Sequence, residues 1–233
     1  MLNKETQKIL SDLSNISTTA IITHPLTGIQ DIDRSIVAFI NVEELGEEQF
    51  EDFGLMNITE FLGLIGLIDD AEVSIKDKVA TIKNDINTAK YYTTDISIIE
   101  DAYGTNPAIL DNIDKAPESA NFDISEAELD KLKKVSNSLK VNDLVIKPDS
   151  NGLELDITDS KTKDTNSYKS NIIGNCTDDD MVIVIDMNNI KKIPSGNYNI
   201  KVAKNPKTGS YITKWTSLTN PSLQIVVSLA ARD

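Results

Sequence analysis

One histidine, one cysteine and a run of three aspartates are the side chains that any catalytic or metal-based chemistry of this chain would have to use. His24 precedes Pro25 in the turn-like segment His24-Pro25-Leu26-Thr27-Gly28, with no serine or cysteine motif beside it to make it the base of a hydrolase, so it reads as a surface turn residue. A single cysteine, Cys176, excludes an intramolecular disulfide and a multi-cysteine zinc site, and a single histidine excludes a two-histidine metal centre within the chain. Cys176 reads as an inert thiol. Asp178-Asp179-Asp180 lacks the spaced ligands and the glycine of a calcium loop and reads as solvated. No glycine-rich phosphate loop with its lysine is present, so any ATP chemistry falls to a partner. With 37 acidic residues, adjacent carboxylates are expected by chance, and no pair marks a glycosidase. The expectation is a protein without catalysis, cofactor or bound metal.

Charge is the informative property. Lys plus Arg number 23 and Asp plus Glu 37, a formal net charge of −14. Residues 1–118 hold 8 basic and 22 acidic side chains, whereas residues 119–233 hold 15 of each. Such an imbalance suggests that one face or segment meets a charged partner. At 233 residues and 39% hydrophobic content the chain can build two cores of ordinary domain size. Aromatic residues make up 5% and are not interleaved with lysines, which disfavours base stacking on single strands. The longest apolar run, Phe61 to Ile68, is far short of the roughly 20 residues of a membrane span, and the amino terminus is polar. A soluble, intracellular protein with no membrane partner is expected.

The elements that would position the charges follow from periodicity. Ile9, Leu10, Leu13 and Ile16 predict a helix over Asn3 to Ile16, with Lys4 and Lys8 off its apolar stripe. Strands are predicted at Ala20 to Thr23 and Ser35 to Val42, a solvated acidic loop over Glu43 to Asp52, and a short apolar helix after the N-cap Asn57. Strands follow at Glu72 to Lys76, Val79 to Lys83 and around Tyr91 to Ile98. Residues 100 to 121, with Pro107 and Pro117, read as linker-like, giving domains 1–112 and 122–233 joined by 113–121. Ser125 with Glu128 forms a capping box for a helix whose apolar face is Leu129, Leu132, Val135 and Leu139 and whose outer face carries Lys131, Lys133, Lys134 and Lys140. Asp149-Ser150-Asn151-Gly152 marks a hairpin between strands Val141 to Lys147 and Leu153 to Thr158. A strand over Tyr168 to Ile173, a doubly buried strand Met181 to Ile185, a short helix Asn188 to Ile193 bearing Lys191 and Lys192, and strands Tyr198 to Ala203, Tyr211 to Thr216 and Leu223 to Ala230 complete an α+β pattern.

One order of elements appears twice, helix, hairpin, strand, short helix and three strands, at a period of about 120–130 residues, which points to two similar domains. Met56-Asn57-Ile58 and Met187-Asn188-Asn189-Ile190 open the two short helices. The string Phe61-Leu62-Gly63-Leu64-Ile65-Gly66-Leu67-Ile68-Asp69-Asp70-Ala71-Glu72-Val73 resembles the corresponding helix and strand of the sliding clamps of T-even-type bacteriophages. Met187 to Tyr198 is similar to the matching segment of their second domain. The resemblance runs, with gaps, over nearly the whole chain. It implies the DNA-clamp fold and a DNA polymerase processivity factor: a homotrimeric ring with helices lining a hole and sheets outside. It also implies duplex DNA held without sequence specificity, a DNA polymerase, an ATP-driven clamp loader and late-transcription factors as partners, in the host cytoplasm. The DNA-facing residues would then be Lys4, Lys8, Lys131, Lys133, Lys134, Lys140, Lys191 and Lys192. The helix after Asn57 carries Glu60 and no basic residue, so first-domain contact is expected at Lys4 and Lys8 alone. Ile109, Ile113 and Leu229 are candidates for a partner groove by resemblance to clamps, and Tyr211 and Trp215 are further candidates that read more readily as core. The rival reading is an acidic, non-enzymatic phage structural protein or DNA mimic, for which basic helices would have little use.

Overall fold

The computed structural model describes residues 2–162 and 164–229. The chain divides into two compact units, Met1–Pro107 and Ala108–Asp233. The first unit runs α1 (Lys4–Leu13), β1 (Ala20–Ile22), β2 (Leu26–Gln30), β3 (Ile36–Asn41), β4 (Phe53–Leu55), α2 (Ile58–Gly66), β5 (Glu72–Lys76), β6 (Val79–Lys83), β7 (Thr88–Tyr92) and α3 (Ile96–Tyr103). The second runs α4 (Ala108–Lys115), β8 (Glu118–Ile124), α5 (Glu126–Leu139), β9 (Asp143–Asp149), β10 (Gly152–Thr158), β11 (Tyr168–Ile172), β12 (Gly174–Cys176), β13 (Ile183–Asp186), α6 (Met187–Lys192), β14 (Tyr198–Lys204), β15 (Tyr211–Ser217) and β16 (Leu223–Val227).

The two units repeat one plan. In the first, antiparallel strands lie in the order β3-β2-β1-β4 and β5-β6-β7 form a meander; in the second the orders are β11-β10-β9-β13 and β14-β15-β16, with β8 and then β12 added beside β14. Alternation sets the faces of these strands. Leu153, Leu155 and Ile157 of β10 are buried while Glu154 and Asp156 between them are not, the period-2 pattern of a sheet with one face on the core. Each unit pairs two helices, α1 with α2 and α5 with α6.

Capping fixes the helix starts. The side chains of Asn3, Asn57, Ser125 and Asp186 accept from the backbone N–H of Thr6, Glu60, Glu128 and Asn188 respectively. The caps also correct the textual repeat. Asn57 caps α2 and Asp186 caps α6, so Ile58 matches Met187, both fully buried, and Phe61 matches Ile190. Met56, 53% exposed, is not the counterpart of Met187. The cores differ in content. The first unit strings His24, Phe50, Phe53, Phe61 and Tyr91 together at centroid separations of 5.2 to 6.1 Å. The second sets Tyr198 edge-on to Trp215 at 6.1 Å.

Several elements differ from the sequence expectation. Residues 100–121 hold the end of α3, all of α4 and the start of β8. Pro107 precedes the first turn of α4, where a missing N–H costs nothing, so the proline marks a helix start. The strand expected around Tyr91 to Ile98 ends at Tyr92, and Asp95, accepting from Ser97 N–H, starts α3 instead. That helix is held on β2: the Gln30 side chain donates to the carbonyls of Ala102 and Gly104 at 3.1 Å, and a Cβ on Gly28 would lie 2.0 Å from the Thr105 hydroxyl. Strands β4 and β12, three residues each, were below the length at which alternation is visible. β16 ends at Val227, and Ala230 of the expected strand lies outside the described residues.

Candidate nucleic-acid interface

The lysine-bearing helices are built on buried triads. In α1 Thr6, Ile9 and Leu13 are buried, and in α5 Leu129, Leu132 and Ser136, each set spaced i, i+3, i+7. Superposing the triads gives each lysine a position. Lys8 and Lys131 coincide, Lys134 matches Ser11, and Lys133 falls where Leu10 is buried. Lys133 therefore departs from the outer face expected for it. It is half-buried and donates to the Ile193 carbonyl at 2.7 Å, tying α5 to the end of α6. Burial lowers its pKa, opposed by the nearby Asp130 carboxylate. Asp130 in turn accepts from the Ser195 hydroxyl at 2.9 Å, a second tie, from α5 to the loop that follows α6.

The other lysines are more open. Lys8, Lys131, Lys134 and Lys140 are exposed, and Lys191 and Lys192 are partly exposed. Lys140 caps α5 in the left-handed conformation, φ 58°, at the helix end where a cation is favoured. Lys191 and Lys192 likewise occupy the last turn of α6. Lys131 Nζ stands 5.0 Å from the centroid of Tyr168, which holds the charged form, with Glu128 adding to the same effect. Lys4 is exposed and 3.8 Å from Asp70, a solvent-screened pair of little energetic weight.

A buried acid positions α1. Glu47 lies in the loop read as solvated, yet it is 6% exposed and its carboxylate accepts from the backbone N–H of Leu2 at 2.6 Å and of Asn3 at 2.7 Å. The Asn3 side chain donates to the Leu45 carbonyl at 2.6 Å. The acidic loop is thus a clasp on the start of a lysine-bearing helix. Only the density of acids in this loop was visible in sequence, not which one turns inward.

The partner-groove candidates separate. Trp215 is fully buried: β15 is the middle strand of its meander, Trp215 lies opposite Ile200 and Ile225, and its indole N–H donates to Thr213 at 3.1 Å. Ile113 is also buried. Neither can line an open groove: Tyr211, Thr213 and Trp215 share one face of β15, and burial deepens along that face from the half-buried Tyr211 at the strand start to the fully buried Trp215. Ile109, Tyr211 and Leu229 are half-buried. Tyr211 and Lys204 both donate to the Asp178 carboxylate at 2.8 Å, with Lys204 Nζ 5.0 Å from the Tyr211 centroid. Those bonds lower the Asp178 pKa, Lys204 contributing most, and give the first residue of the aspartate run a structural partner. His24 packs edge-on to Phe50, and Cys176 Sγ contacts the Asp178 carbonyl at 3.5 Å. Among the described residues no cluster of His, Cys, Asp and Glu could hold a metal ion. No described helix is long and apolar enough to cross a membrane.

No family model matches the chain. A sliding clamp of Vibrio phage KVP40 is 25% identical over 178 residues, covering 73% of this chain and 76% of that protein. Among solved structures, A. fulgidus PCNA bound to the C-terminal region of FEN-1 aligns with a TM-score of 0.67 at 11% identity, covering 97% of this chain and 95% of that one. Proliferating cellular nuclear antigen from Entamoeba histolytica aligns with a TM-score of 0.63 at 13% identity, covering 97% and 94%. The fold and the phage relative support a clamp role. With its duplicated sheets, paired helices and these likenesses, the chain has the DNA-clamp fold, in two similar domains, and resembles a phage sliding clamp.

Proposed function

We propose that the chain is a processivity clamp: a non-catalytic homotrimeric ring that encircles duplex DNA, tethers a DNA polymerase, is opened by an ATP-driven loader and also serves late transcription. The observation that carries this reading is the duplicated unit, in which lysines sit on three of the paired helices, α1, α5 and α6, of a protein whose net charge is −14. A clamp must attract a duplex without gripping it. Tight neutralisation of many phosphates would give strong, salt-steep binding and stop sliding, whereas a few lysines on the lining with acid elsewhere admit the duplex and repel it from other surfaces. The DNA-facing set is Lys4, Lys8, Lys140, Lys191 and Lys192, with Lys134 beside them; Lys133 serves the α5–α6 junction. A half-buried partner site at Ile109, Tyr211 or Leu229 parallels the binding of the FEN-1 C-terminal region by the A. fulgidus PCNA.

Sheet edges support closure into a ring. Among the described residues β7 is hydrogen-bonded to β6 alone and β11 to β10 alone, leaving five-residue edges open. Exposed apolar side chains stand at both: Ile86 and Tyr92, 89% and 76% exposed, beside β7, and Ile173, 89% exposed, after β11. Head-to-tail addition of β7 of one copy to β11 of the next would cover both edges and both apolar sets. The test reverses charge at Lys8 and Lys191. Retention on circular primed DNA and polymerase processivity should fall while the mass of the assembly stays unchanged. Full processivity at moderate salt in the double variant would refute the lining.

A further inference from the structure

The helices beside the two open edges bring different charges to matching settings. On β7, the Tyr91 ring packs against Phe61 of α2 at 5.2 Å, and its hydroxyl reaches the Asn57 carbonyl at 3.5 Å. Glu60, exposed in the first turn of α2, is near enough to raise the Tyr91 pKa together with burial, which is the larger cause. On β11, Tyr168 lies under Lys131 of α5, and Ser170 donates to Glu128 of the same helix at 2.9 Å. Each edge therefore has a tyrosine turned toward its helix and helix-borne charge beside it: Glu60 at β7, and Lys131 with Lys134 at β11, where the Glu128 carboxylate of the same helix is engaged by Ser170. Ala127, Lys131, Lys134, Val135 and Tyr168 line a shallow surface groove at the second edge, open to a neighbour.

We propose that Glu60 of one copy pairs with Lys131 of the next and so sets the register of subunit joining, with a second copy of this chain as the occupant of the α5–β11 groove. This rests on the ring reading above. Strand direction carries the argument. Antiparallel addition lays the carboxyl end of β7, where Tyr91 sits, beside the amino end of β11, where Tyr168 sits. Parallel addition with the strand starts aligned would part the two by three residues, about 10 Å. Tyr91 and Tyr168 both face their helices, so a register that sets Tyr91 opposite Tyr168 or Ser170 keeps both on one face of the joined sheet. Glu60 then meets Lys131 and Lys134 across the joint, and a one-residue slip would turn the tyrosines to opposite faces. Lys131, placed with the DNA-facing lysines by resemblance, is thereby assigned to the joint. Complementary charges of this kind fix orientation and reject wrong pairings as much as they add affinity.

Sedimentation equilibrium of the full chain across a dilution series tests the pairing. Glu60→Lys and Lys131→Glu should each raise the concentration at which the assembly half-dissociates by about tenfold, and the double exchange should return it most of the way. Glu60→Gln should give a smaller shift, which guards against misfolding of α2 in the lysine variant. Wild-type chains that never associate would sink the ring reading and the pairing together. Wild-type assembly with unshifted single variants, or with no recovery in the double exchange, would overturn the pairing alone. Loss of DNA retention in Lys131→Glu with unchanged dissociation would return Lys131 to the duplex and also overturn the pairing.

Discussion

The helix pairs of the two units share a scaffold and differ in chemistry. α1 and α5 rest on buried triads of one spacing, and α2 and α6 start from side-chain caps with buried residues at matching positions. On that common frame α6 places Lys191 and Lys192 where α2 has Leu62 and Gly63, and α5 places Lys134 where α1 has Ser11. Exposed helix positions can change charge without disturbing a core, because the triads and caps determine where the helix lies and the outward side chains do not. A duplicated fold can therefore give one unit a basic helix pair and leave the other nearly neutral on that face, with Glu60 free to serve an edge.

The comparison can be broken or sharpened by substitution. The largest effect is expected where the second unit buries its largest side chain. Trp215→Ala should lose about 3–5 kcal/mol of unfolding free energy in a urea titration, whereas a change near zero would return Trp215 to the surface. Gly63→Lys gives α2 the lysine that α6 has. A Cβ there meets nothing within 4 Å, so the helix should gain about 0.5–1 kcal/mol from lost glycine freedom. DNA binding should steepen by about 0.9 per subunit in its dependence of log affinity on log salt; an unchanged slope would place α2 away from the duplex. Lys133→Leu installs the residue that α1 has at the matching position. Loss of the bond to the Ile193 carbonyl and gain of apolar burial should cancel to within about 1 kcal/mol, and the salt slope should stay put, which distinguishes Lys133 from the open lysines.

The smallest effect is electrostatic and confined to the first unit. Asp95 caps α3 and accepts from Lys78 and Ser97; these bonds, Lys78 first, lower its carboxyl pKa from 3.8 to about 2. A carboxyl depressed on folding adds stability above its unfolded value, and that contribution is lost as pH falls through the folded value. Asp95→Asn keeps the cap, so its urea midpoint should lie slightly below wild type at about pH 5 and converge with it near pH 2. A difference that persisted at the acid end would assign the effect to packing and not to charge.

Much of the scaffold was legible. Capping residues, alternation in β5, β6, β10 and β14 and the apolar stripe of α5 carry local signals strong enough to read directly, and the duplication followed from their order. Prolines misled between residues 100 and 121, because Pro107 stands before a helix and Pro117 just before a strand, both places where a missing N–H is harmless. The site was legible as a set of helices and less so residue by residue. Lys133 lies just beside the apolar arc, and only the packing of α6 against α5 turns it inward. Glu47, Tyr168 and Glu60 gain their roles from neighbours 31 to 45 residues away, a separation that no local pattern encodes.

The central claim is a closed ring of three copies, and the most direct test is light scattering behind a sizing column, across a dilution series and at two salt concentrations. The account requires a mass near three times 25.6 kDa that persists on moderate dilution. A mass of one chain at every concentration would contradict it, removing the topological hold on DNA and giving the lead to an acidic decoy.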